Sequence, residues 1–277
     1  MSEAKQERLR HLLRAAGPML IAYSGGVDSA YLAWEARQAL GRERMLALIA
    51  DSASLPRRHL RSALDFAQAH DIACETLYTA ELEDARYRRN HPDRCFYCKD
   101  ELFQRMEAEL AARPGFGVLA YGLNADDPAD YRPGHEAARR HGIRAPLAEA
   151  GLGKAEIRGL ARQAGLEVWD RPASACLSSR VAYGLEVTPE VLERIERGED
   201  ALAELGFRQF RVRFHGAIVR IEIAREELDR ALNREMAEKL TSIFKRLGFD
   251  FVTLDLEGYR SGAMNAGLVA LRPEKPE

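Results

Sequence analysis

A glycine-containing loop between two apolar segments most constrains how this 277-residue chain can fold. The loop reads Ser24-Gly25-Gly26-Val27-Asp28-Ser29. It follows the apolar run Met19–Tyr23, a predicted buried strand, and it opens Asp28–Leu40, whose apolar spacing predicts a helix. Two glycines let the backbone turn tightly and come close to a ligand. The free amides at the start of a helix favour an anion, so the loop predicts a phosphate site.

The side chains of this loop narrow the ligand. Ser24 and Ser29 offer hydroxyl donors, whereas Asp28 would repel a bare phosphate. Its presence indicates a Mg²⁺ ion that bridges to pyrophosphate. No Gly-Lys-Ser/Thr follows, which disfavours a Walker loop, and the G-x-G-x-x-G spacing of dinucleotide loops is absent. The loop resembles the PP-loop of the ATP pyrophosphatase superfamily. The alternative interpretation is a helix N-cap with a glycine turn.

Strand and helix signals alternate through the first part of the chain. Apolar runs predict strands at Met19–Tyr23, Met45–Ala50, Ala73–Thr79 and Gly117–Tyr121. Helical spacing predicts helices at Asp28–Leu40, Pro56–His70, Cys98–Ala112, Gly134–His141 and Lys154–Ala164. This order favours an α/β fold with a doubly wound, Rossmann-like parallel sheet. Ligands of such sheets sit at the carboxyl ends of strands. Asp51 and Ser52 follow the second strand, so they are candidates to touch adenine or ribose; the alternative is a capped helix start.

A stretch of weak periodicity near Pro172–Gly184 separates a second region. Beyond it we predict the helices Pro189–Leu205 and Glu235–Leu247, a hairpin of Phe210–Phe214 and Ala217–Ile223 with its turn at His215-Gly216, and a strand at Phe251–Leu256. We therefore expect a nucleotide-binding domain at residues 1–184 and a smaller α+β domain at residues 185–277.

Composition limits the partners and the location. The chain is 46% hydrophobic and 30% charged, with a formal net charge of -2. These values are ordinary for a soluble globular protein, and a nucleic-acid binder would more often show a basic excess. No apolar leader and no run of about 20 apolar residues is visible. We expect a cytoplasmic protein with neither nucleic-acid nor membrane partners.

The four cysteines, Cys74, Cys95, Cys98 and Cys176, leave several interpretations open. A structural zinc site needs four ligands, and Cys74 lies in a predicted strand, where we expect it to be a core residue. A redox dithiol of Cys95 and Cys98 lacks a thioredoxin-like context. A 4Fe-4S cluster on Cys95, Cys98 and Cys176 would leave one iron open for sulfide or substrate. The last alternative is three unrelated thiols.

Several runs, in order along nearly the whole chain, resemble the LarE-type sulfurtransferases. The matching runs are residues 24–29, Arg94-Cys95-Phe96-Tyr97-Cys98-Lys99, Asn124-Ala125-Asp126-Asp127, Tyr131-Arg132-Pro133-Gly134, residues 154–158, Trp169-Asp170-Arg171-Pro172 through Arg180, Arg211-Val212-Arg213 and Gly258-Tyr259-Arg260. The most specific is Pro-Ala-Ser-Ala-Cys-Leu-Ser-Ser-Arg, residues 172–180. A departure is Leu123 after Gly122, where Gly-Thr is more usual.

The resemblance implies a reaction on pyridinium-3,5-biscarboxylic acid mononucleotide. ATP adenylylates a carboxylate and releases pyrophosphate, and a cysteine-bound sulfur then displaces AMP to give a thiocarboxylate for the nickel-pincer nucleotide cofactor of lactate racemase. Some family members give up the sulfur of the cysteine that matches Cys176, whereas others also carry a cysteine pair and hold an iron–sulfur cluster. With Cys95 and Cys98 present, this sequence resembles the cluster type, which leaves Cys176 as ligand or as sacrificial donor.

The resemblance also implies roles for individual residues. Lys99 would neutralise charge near the adenylate, unless it is a solvated helix lysine. A second group would hold substrate phosphate or carboxylate, with two acidic positions that bind a metal or orient the arginines: Ser179, Arg180, Arg211, Arg213 and Arg260, with Glu199 and Glu222. Arg211 and Arg213 alternate on one strand and so share a face, which suits a phosphate or a solvated surface. Asp126 and Asp127 are magnesium-linked or shape a loop.

Two other functions compete with the small-molecule sulfurtransferase. PP-loop enzymes with three-cysteine clusters also thiolate tRNA, but that role predicts a basic, salt-sensitive surface, which the net charge of -2 disfavours. A nucleotide-sensing or scaffold protein would bind ATP without pyrophosphate release. LarE-type sulfurtransferases tend to be homo-oligomers, so the resemblance implies a trimer or hexamer.

Overall fold

The computed structural model describes residues 2–127, 133–171 and 175–260. It divides into two compact units, one of Met1–Tyr87 with Asp93–Ala175 and one of Arg88–Pro92 with Cys176–Glu277. The expected domain boundary after residue 184 stays a prediction; the compact units themselves change over after Ala175. In the described ranges, no helix is long and apolar enough to cross a membrane.

The first unit contains a parallel sheet in the order β3-β2-β1-β4 with helices on both faces. Its described strands are β1 (Met19–Tyr23), β2 (Met45–Asp51), β3 (Cys74–Tyr78) and β4 (Val118–Tyr121). Its helices are α1 (Ser2–Ala16), α2 (Val27–Leu40), α3 (Arg57–Ala69), α4 (Ala85–Arg88, whose last residue belongs to the second unit), α5 (Arg94–Ala111), α6 (Pro133–Arg140), α7 (Pro146–Glu149) and α8 (Lys154–Gln163). The predicted α/β fold class is confirmed.

The central strand β1 explains why this sheet is doubly covered. All five of its residues are buried. Met19, Ile21 and Tyr23 belong to one apolar cluster and Leu20 and Ala22 to another, because successive side chains point to opposite faces of a strand. The first cluster includes residues of α1, α2, α3 and α8, and the second includes residues of α5 and α6. A continuous apolar run is therefore the pattern that this position requires.

The N-terminal helix α1 is held on α2 by a buried carboxylate. Glu35 of α2 has no solvent exposure and accepts hydrogen bonds from Gln6 Nε2 at 2.6 Å, Arg10 Nε at 2.8 Å and the Tyr31 hydroxyl at 2.7 Å. Leu9 and Leu13 of α1 are fully buried beside it. This helix was not predicted from the sequence, although its leucines recur at helical spacing.

The second unit is built on a mixed sheet in the order β5-β6-β7. Its described elements are β5 (Phe210–His215), β6 (Ile218–Ile223) and β7 (Phe251–Leu254), with α9 (Pro189–Glu204), α10 (Leu228–Ala231) and α11 (Arg234–Arg246). β5 and β6 form an antiparallel hairpin, and β7 runs parallel to β6. Gly198 lets α9 and α11 approach closely, since a Cβ there would lie 2.6 Å from the ring of Phe244. The expected α+β character is confirmed.

Among the predicted boundaries that differ from the structure are the start of α5 and the hairpin turn. The helix expected from Cys98 begins at Arg94, so both cysteines of the pair lie inside α5. The hairpin turn follows His215, which is the last residue of β5. Gly216, with φ of 71°, makes the turn because that backbone conformation favours glycine.

Candidate active site

The loop between β1 and α2 has the shape that an anion site needs. Gly25 has φ of 71°, and a Cβ there would lie 2.6 Å from the Cβ of Ala63 on α3. Only glycine fits this position without a shift. The hydroxyl of Ser29 donates to the Gly26 carbonyl at 3.2 Å and accepts from the Ser24 amide at 3.1 Å, and it lies 3.1 Å from the Ser24 hydroxyl. The start of α2 thus faces a loop that is already ordered from within.

Asp28, in the first turn of α2, carries the charge of this site. Its Oδ2 accepts from Lys154 Nζ at 2.8 Å and from Asn124 Nδ2 at 3.3 Å. Its Oδ1 is buried and has no hydrogen-bond partner among the described residues. A buried carboxylate oxygen without a partner is costly. The carboxylate is therefore built to receive one more cation or donor.

The segment after β4 places Lys154 and Asn124 beside Asp28. Gly122 lets this segment pass close to α2, because a Cβ there would lie 2.8 Å from the Ser29 nitrogen. Asn124 is buried, and its side-chain oxygen accepts from the Asp126 amide at 2.9 Å. Asp126 Oδ2 accepts from the Lys154 amide at 2.7 Å, at the start of α8. Asp126 thus shapes the loop and fastens it to α8.

Asp51 and Ser52 lie at the carboxyl end of β2, as expected, but their side chains have partners within the protein. Arg57 pairs with Asp51 Oδ1. The Ser52 hydroxyl lies 2.9 Å from that of Ser54, which donates to the buried carboxylate of Glu81 at 2.9 Å. These contacts organise the loop before α3. Their role toward adenine or ribose stays a prediction.

The cysteine pair lies in the first turns of α5. Cys95 is exposed and Cys98 is half-buried, and at a spacing of three residues they share one side of the helix. The guanidinium of Arg86 lies 4.6 Å from the ring centre of Tyr97, and that of Arg140 lies 4.6 Å from the ring centre of Phe96. Across the described ranges, no group of three or more His, Cys, Asp or Glu residues is arranged to hold a metal ion.

Cys176 lies in the second unit, where buried arginines hold its backbone. The Cys176 carbonyl accepts from the Ser179 hydroxyl at 2.7 Å and from Arg180 Nη1 at 2.9 Å. Arg180 is 1% exposed and makes a bidentate pair with Glu199, at 2.9 and 3.2 Å. Glu199 also accepts from the Val212 amide of β5 at 3.3 Å. The cysteine is half-buried at the end of this network.

A second buried ion pair lies on one face of the β5–β6 hairpin. Arg213 Nη2 donates to Glu222 Oε2 at 2.8 Å, and Arg220 donates to the other oxygen at 3.1 Å. Arg213 also donates to the Ser179 carbonyl at 3.1 Å. Arg211 is two residues along the strand, and burial and the nearby Arg180 lower the pKa of its guanidinium. Crowded guanidiniums on one face favour an anionic ligand.

The comparisons with known proteins agree with this geometry. Residues 6–113, which contain the glycine loop, match the NAD synthase family. The chain is 33% identical over 261 residues to the pyridinium-3,5-bisthiocarboxylic acid mononucleotide synthase of Lactiplantibacillus plantarum, across 94% of each chain. The chain belongs to the LarE family of PP-loop proteins. It is also 42% identical to a Synechocystis protein of uncharacterised function, over 96% of this chain and 98% of that one. A Methanocaldococcus jannaschii protein, also uncharacterised, is 28% identical over 88% of this chain and 91% of its own.

In this LarE family member, three side chains that contact the PP-loop were not predicted as site residues. Lys154 and Asn124 contact Asp28, and Arg171 donates to the Gly25 carbonyl. Lys154 and Asn124 stand in segments that match the family, so the resemblance marked the segments but not the contacts. The signal for Lys154 was its place at a predicted helix start after a glycine.

Three other expectations have mixed outcomes. Lys99 lies over the ring of Phe103, 5.9 Å from its centre, and its role at the adenylate stays a prediction. Arg260 pairs with Glu257 at 2.5 Å on the surface, and its role toward substrate also stays a prediction. Cys74 packs against the core and is half-buried, and burial raises the pKa of its thiol to about 11. Residues 131–132 and 172–174 of the matching runs, and residues 261–277 of the expected second domain, lie outside the described residues.

Proposed function

We propose that this chain is an ATP-dependent sulfurtransferase that converts a carboxylate of pyridinium-3,5-biscarboxylic acid mononucleotide into a thiocarboxylate. A relative that covers 94% of the chain is a synthase of the bisthiocarboxylic acid mononucleotide. The observation that carries the proposal is the PP-loop carboxylate of Asp28, paired with Lys154 and left with one buried oxygen without a partner in the described residues.

Mg²⁺ fits that carboxylate. Hard oxygen ligands suit Mg²⁺, which is bound in proteins by one or two carboxylates together with substrate phosphates. Asp28 would hold it, and it would supply neutralisation of the pyrophosphate charge. Lys154 Nζ, now 2.8 Å from Asp28 Oδ2, is the nearby cation that would bind a phosphate oxygen.

The first chemical step forms a mixed anhydride. A carboxylate oxygen of the substrate attacks the α-phosphorus of ATP, the bond to the β-phosphate oxygen breaks, and pyrophosphate leaves. The amides of the loop and Lys154 stabilise the charge that develops on pyrophosphate. A carboxylate is a poor electrophile, whereas its adenylate has AMP as a leaving group.

The second step replaces AMP with sulfur. Sulfur held at Cys176 attacks the acyl carbon, and the bond to the AMP oxygen breaks. If Cys176 is the sacrificial donor, its C–S bond then breaks with loss of the α-proton, which leaves dehydroalanine. We propose that Ser179, Arg180, Arg211, Arg213 and Arg260 bind the anionic groups of the substrate, with Glu199 and Glu222 orienting the arginines.

The alternative sulfur carrier is a 4Fe-4S cluster on Cys95, Cys98 and Cys176. The described residues supply two thiols on one side of α5, but the third cysteine belongs to the other compact unit, and no set of three ligands is grouped. The thiols that would hold such a cluster therefore come from both compact units. Iron and sulfide analysis of protein purified without oxygen tests the proposal; iron-free protein after anaerobic reconstitution would reject it.

Two further expectations complete the proposal. We expect a cytoplasmic protein that acts on a small molecule and assembles as a homotrimer or homohexamer. Sedimentation equilibrium measures the assembly directly, and a monomer at micromolar concentration would contradict it.

The reaction is tested by pyrophosphate release from ATP with and without the pyridinium dicarboxylate mononucleotide. We expect release only with the substrate. Asp28→Asn should abolish it, whereas Cys176→Ala should release pyrophosphate and accumulate the acyl-adenylate without thiocarboxylate. Glu193→Gln, on the exposed face of α9, is the matched control and should behave as wild type. ATP binding without substrate-dependent pyrophosphate release would instead indicate a nucleotide sensor.

A further inference from the structure

Arg171, which follows α8 in the sequence, contacts the PP-loop. Arg171 Nη1 donates to the Gly25 carbonyl at 3.2 Å, and its Nη2 donates to the Ser62 hydroxyl of α3 at 2.9 Å. The guanidinium therefore bridges the loop and the helix against which the loop packs. These two contacts commit the Arg171 side chain to the loop and to α3.

The backbone that carries Arg171 is itself fixed. Arg158 of α8 donates to the carbonyls of Trp169 and Arg171, each at 2.8 Å. The Arg171 amide donates to the Val168 carbonyl at 3.1 Å, and Val168 is fully buried. A side chain anchored at both ends can hold a partner in one orientation, since little rotamer freedom remains to be lost.

The orientation that Arg171 imposes reaches the anion side of the loop through one peptide group. The Gly25–Gly26 peptide is planar and trans, so its N–H points opposite to its C=O. A glycine pair has the widest choice of backbone conformations, and this peptide could rotate at small cost if nothing held it. Holding the Gly25 carbonyl thus also fixes the orientation of the Gly26 amide, which belongs to the N-cap residue of α2.

We propose that Arg171 is a positioning residue that presents the Gly26 amide to the pyrophosphate portion of ATP without touching the nucleotide. This inference rests on the proposed ATP-binding function of the same loop. It predicts that Arg171 matters for ligands with a pyrophosphate group and not for the adenosine portion. If Arg171 only supported the fold, its replacement would weaken the binding of all ligands together, because less protein would be folded.

Equilibrium binding to the full-length protein tests this inference. Isothermal titration calorimetry would measure the affinities of wild type, Arg171→Met and Arg171→Lys for Mg-ATP, Mg-pyrophosphate and adenosine. We expect Arg171→Met to weaken the binding of Mg-ATP and Mg-pyrophosphate by about tenfold or more, since a hydrogen bond from a charged donor is lost. Adenosine binding should stay unchanged, and methylguanidinium added to Arg171→Met should restore part of the affinity for pyrophosphate.

Two further variants keep the test decisive. Arg162→Ala is the matched control, because Arg162 stacks on Trp169 of the same segment, 5.0 Å from its ring centre, and should leave all three affinities unchanged. If Arg171→Met fails to fold, Ser62→Ala removes the second anchor of the guanidinium and should weaken pyrophosphate a few-fold. Unchanged pyrophosphate affinity in Arg171→Met, or equal loss of adenosine, would overturn the inference while ATP binding by wild type stands. Failure of wild type to bind ATP would instead reject the proposed function.

Discussion

At the scale of single residues, two charged contacts decide how the candidate site is prepared. Lys154 reaches Asp28 across 126 positions of sequence, and Arg180 and Glu199 pair where both are almost fully buried. The glycine loop itself was predictable, because its residue types require a turn at a helix start. The partner of Asp28 was not, since charge pairing over such a separation depends on how the sheet brings α8 back to α2.

Replacing Lys154 with Met tests its role. The variant should raise the KM for Mg-ATP about tenfold or more, because one charge-assisted contact to phosphate is lost. It should also raise the affinity of nucleotide-free protein for Mn²⁺, since Asp28 no longer has its lysine; electron paramagnetic resonance of free Mn²⁺ measures this. Lys239→Met, in an exposed pair with Glu235, is the control. Unchanged values for both quantities would show that Lys154 has no part in the site.

Replacing Glu199 with Gln tests the buried pair behind Cys176. Arg180 would be left buried with a neutral partner, and removal of one member of a buried ion pair costs about 3–5 kcal/mol. Urea denaturation measures the loss in the free energy of unfolding. Glu193→Gln, whose exposed partner is Arg197 on the same helix, should change stability by less than about 0.5 kcal/mol. Equal effects of the two substitutions would contradict the assigned role of Glu199.

At the scale of elements, apolar patterns in the sequence predicted the strands better than the starts of the helices. β1 runs from Met19 to Tyr23, as its apolar run indicates, because a central parallel strand must be apolar on both faces. The start of α5 at Arg94 was missed, since this arginine is buried and its polar sequence gives no periodic signal. Its position matters, because it places both Cys95 and Cys98 in helical turns.

The junction of α5 with the end of α6 should respond to pH. His141 lies 3.0 Å from Asp100 Oδ1 and 2.9 Å from Glu107 Oε1. Burial lowers the pKa of His141, but the hydrogen bonds to these two carboxylates outweigh it, and the net pKa is raised above 6.5. A raised folded-state pKa means that this stabilisation is complete below the unfolded-state pKa. It is lost as pH rises through the folded-state pKa.

His141→Asn should therefore flatten the pH dependence of unfolding above pH 6.5. The free energy of unfolding of wild type, measured in urea from pH 5.5 to 9, should contain a component that falls with rising pH and is absent from the variant. His11→Asn, at an exposed position of α1, should keep the wild-type profile. An identical pH dependence of unfolding in His141→Asn would show that the two carboxylates do not stabilise a protonated histidine.

At the scale of the whole molecule, the proposed chemistry divides between two compact units. Asp28, Lys154 and Arg171 belong to the first, and Cys176 with its arginine network belongs to the second. The order of motifs along the sequence indicated both sets of residues, because each stands in a run that matches the family. The pairing of arginines with Glu199 and Glu222 could not be read from the sequence, because strand register and helix packing select the partners. Arg88–Pro92 joins the second unit through Asn90, which donates to the carbonyls of Val181 and Ala182 at 3.2 and 2.9 Å.

The central claim is that ATP activates a substrate carboxylate before sulfur enters. Substrate labelled with ¹⁸O in its carboxylates tests this most directly, with mass spectrometry of the AMP formed. If a carboxylate oxygen attacks the α-phosphorus and stays with AMP when sulfur displaces it, AMP gains one ¹⁸O and pyrophosphate gains none. Unlabelled AMP, or ¹⁸O in phosphate accompanied by ADP, would contradict this account.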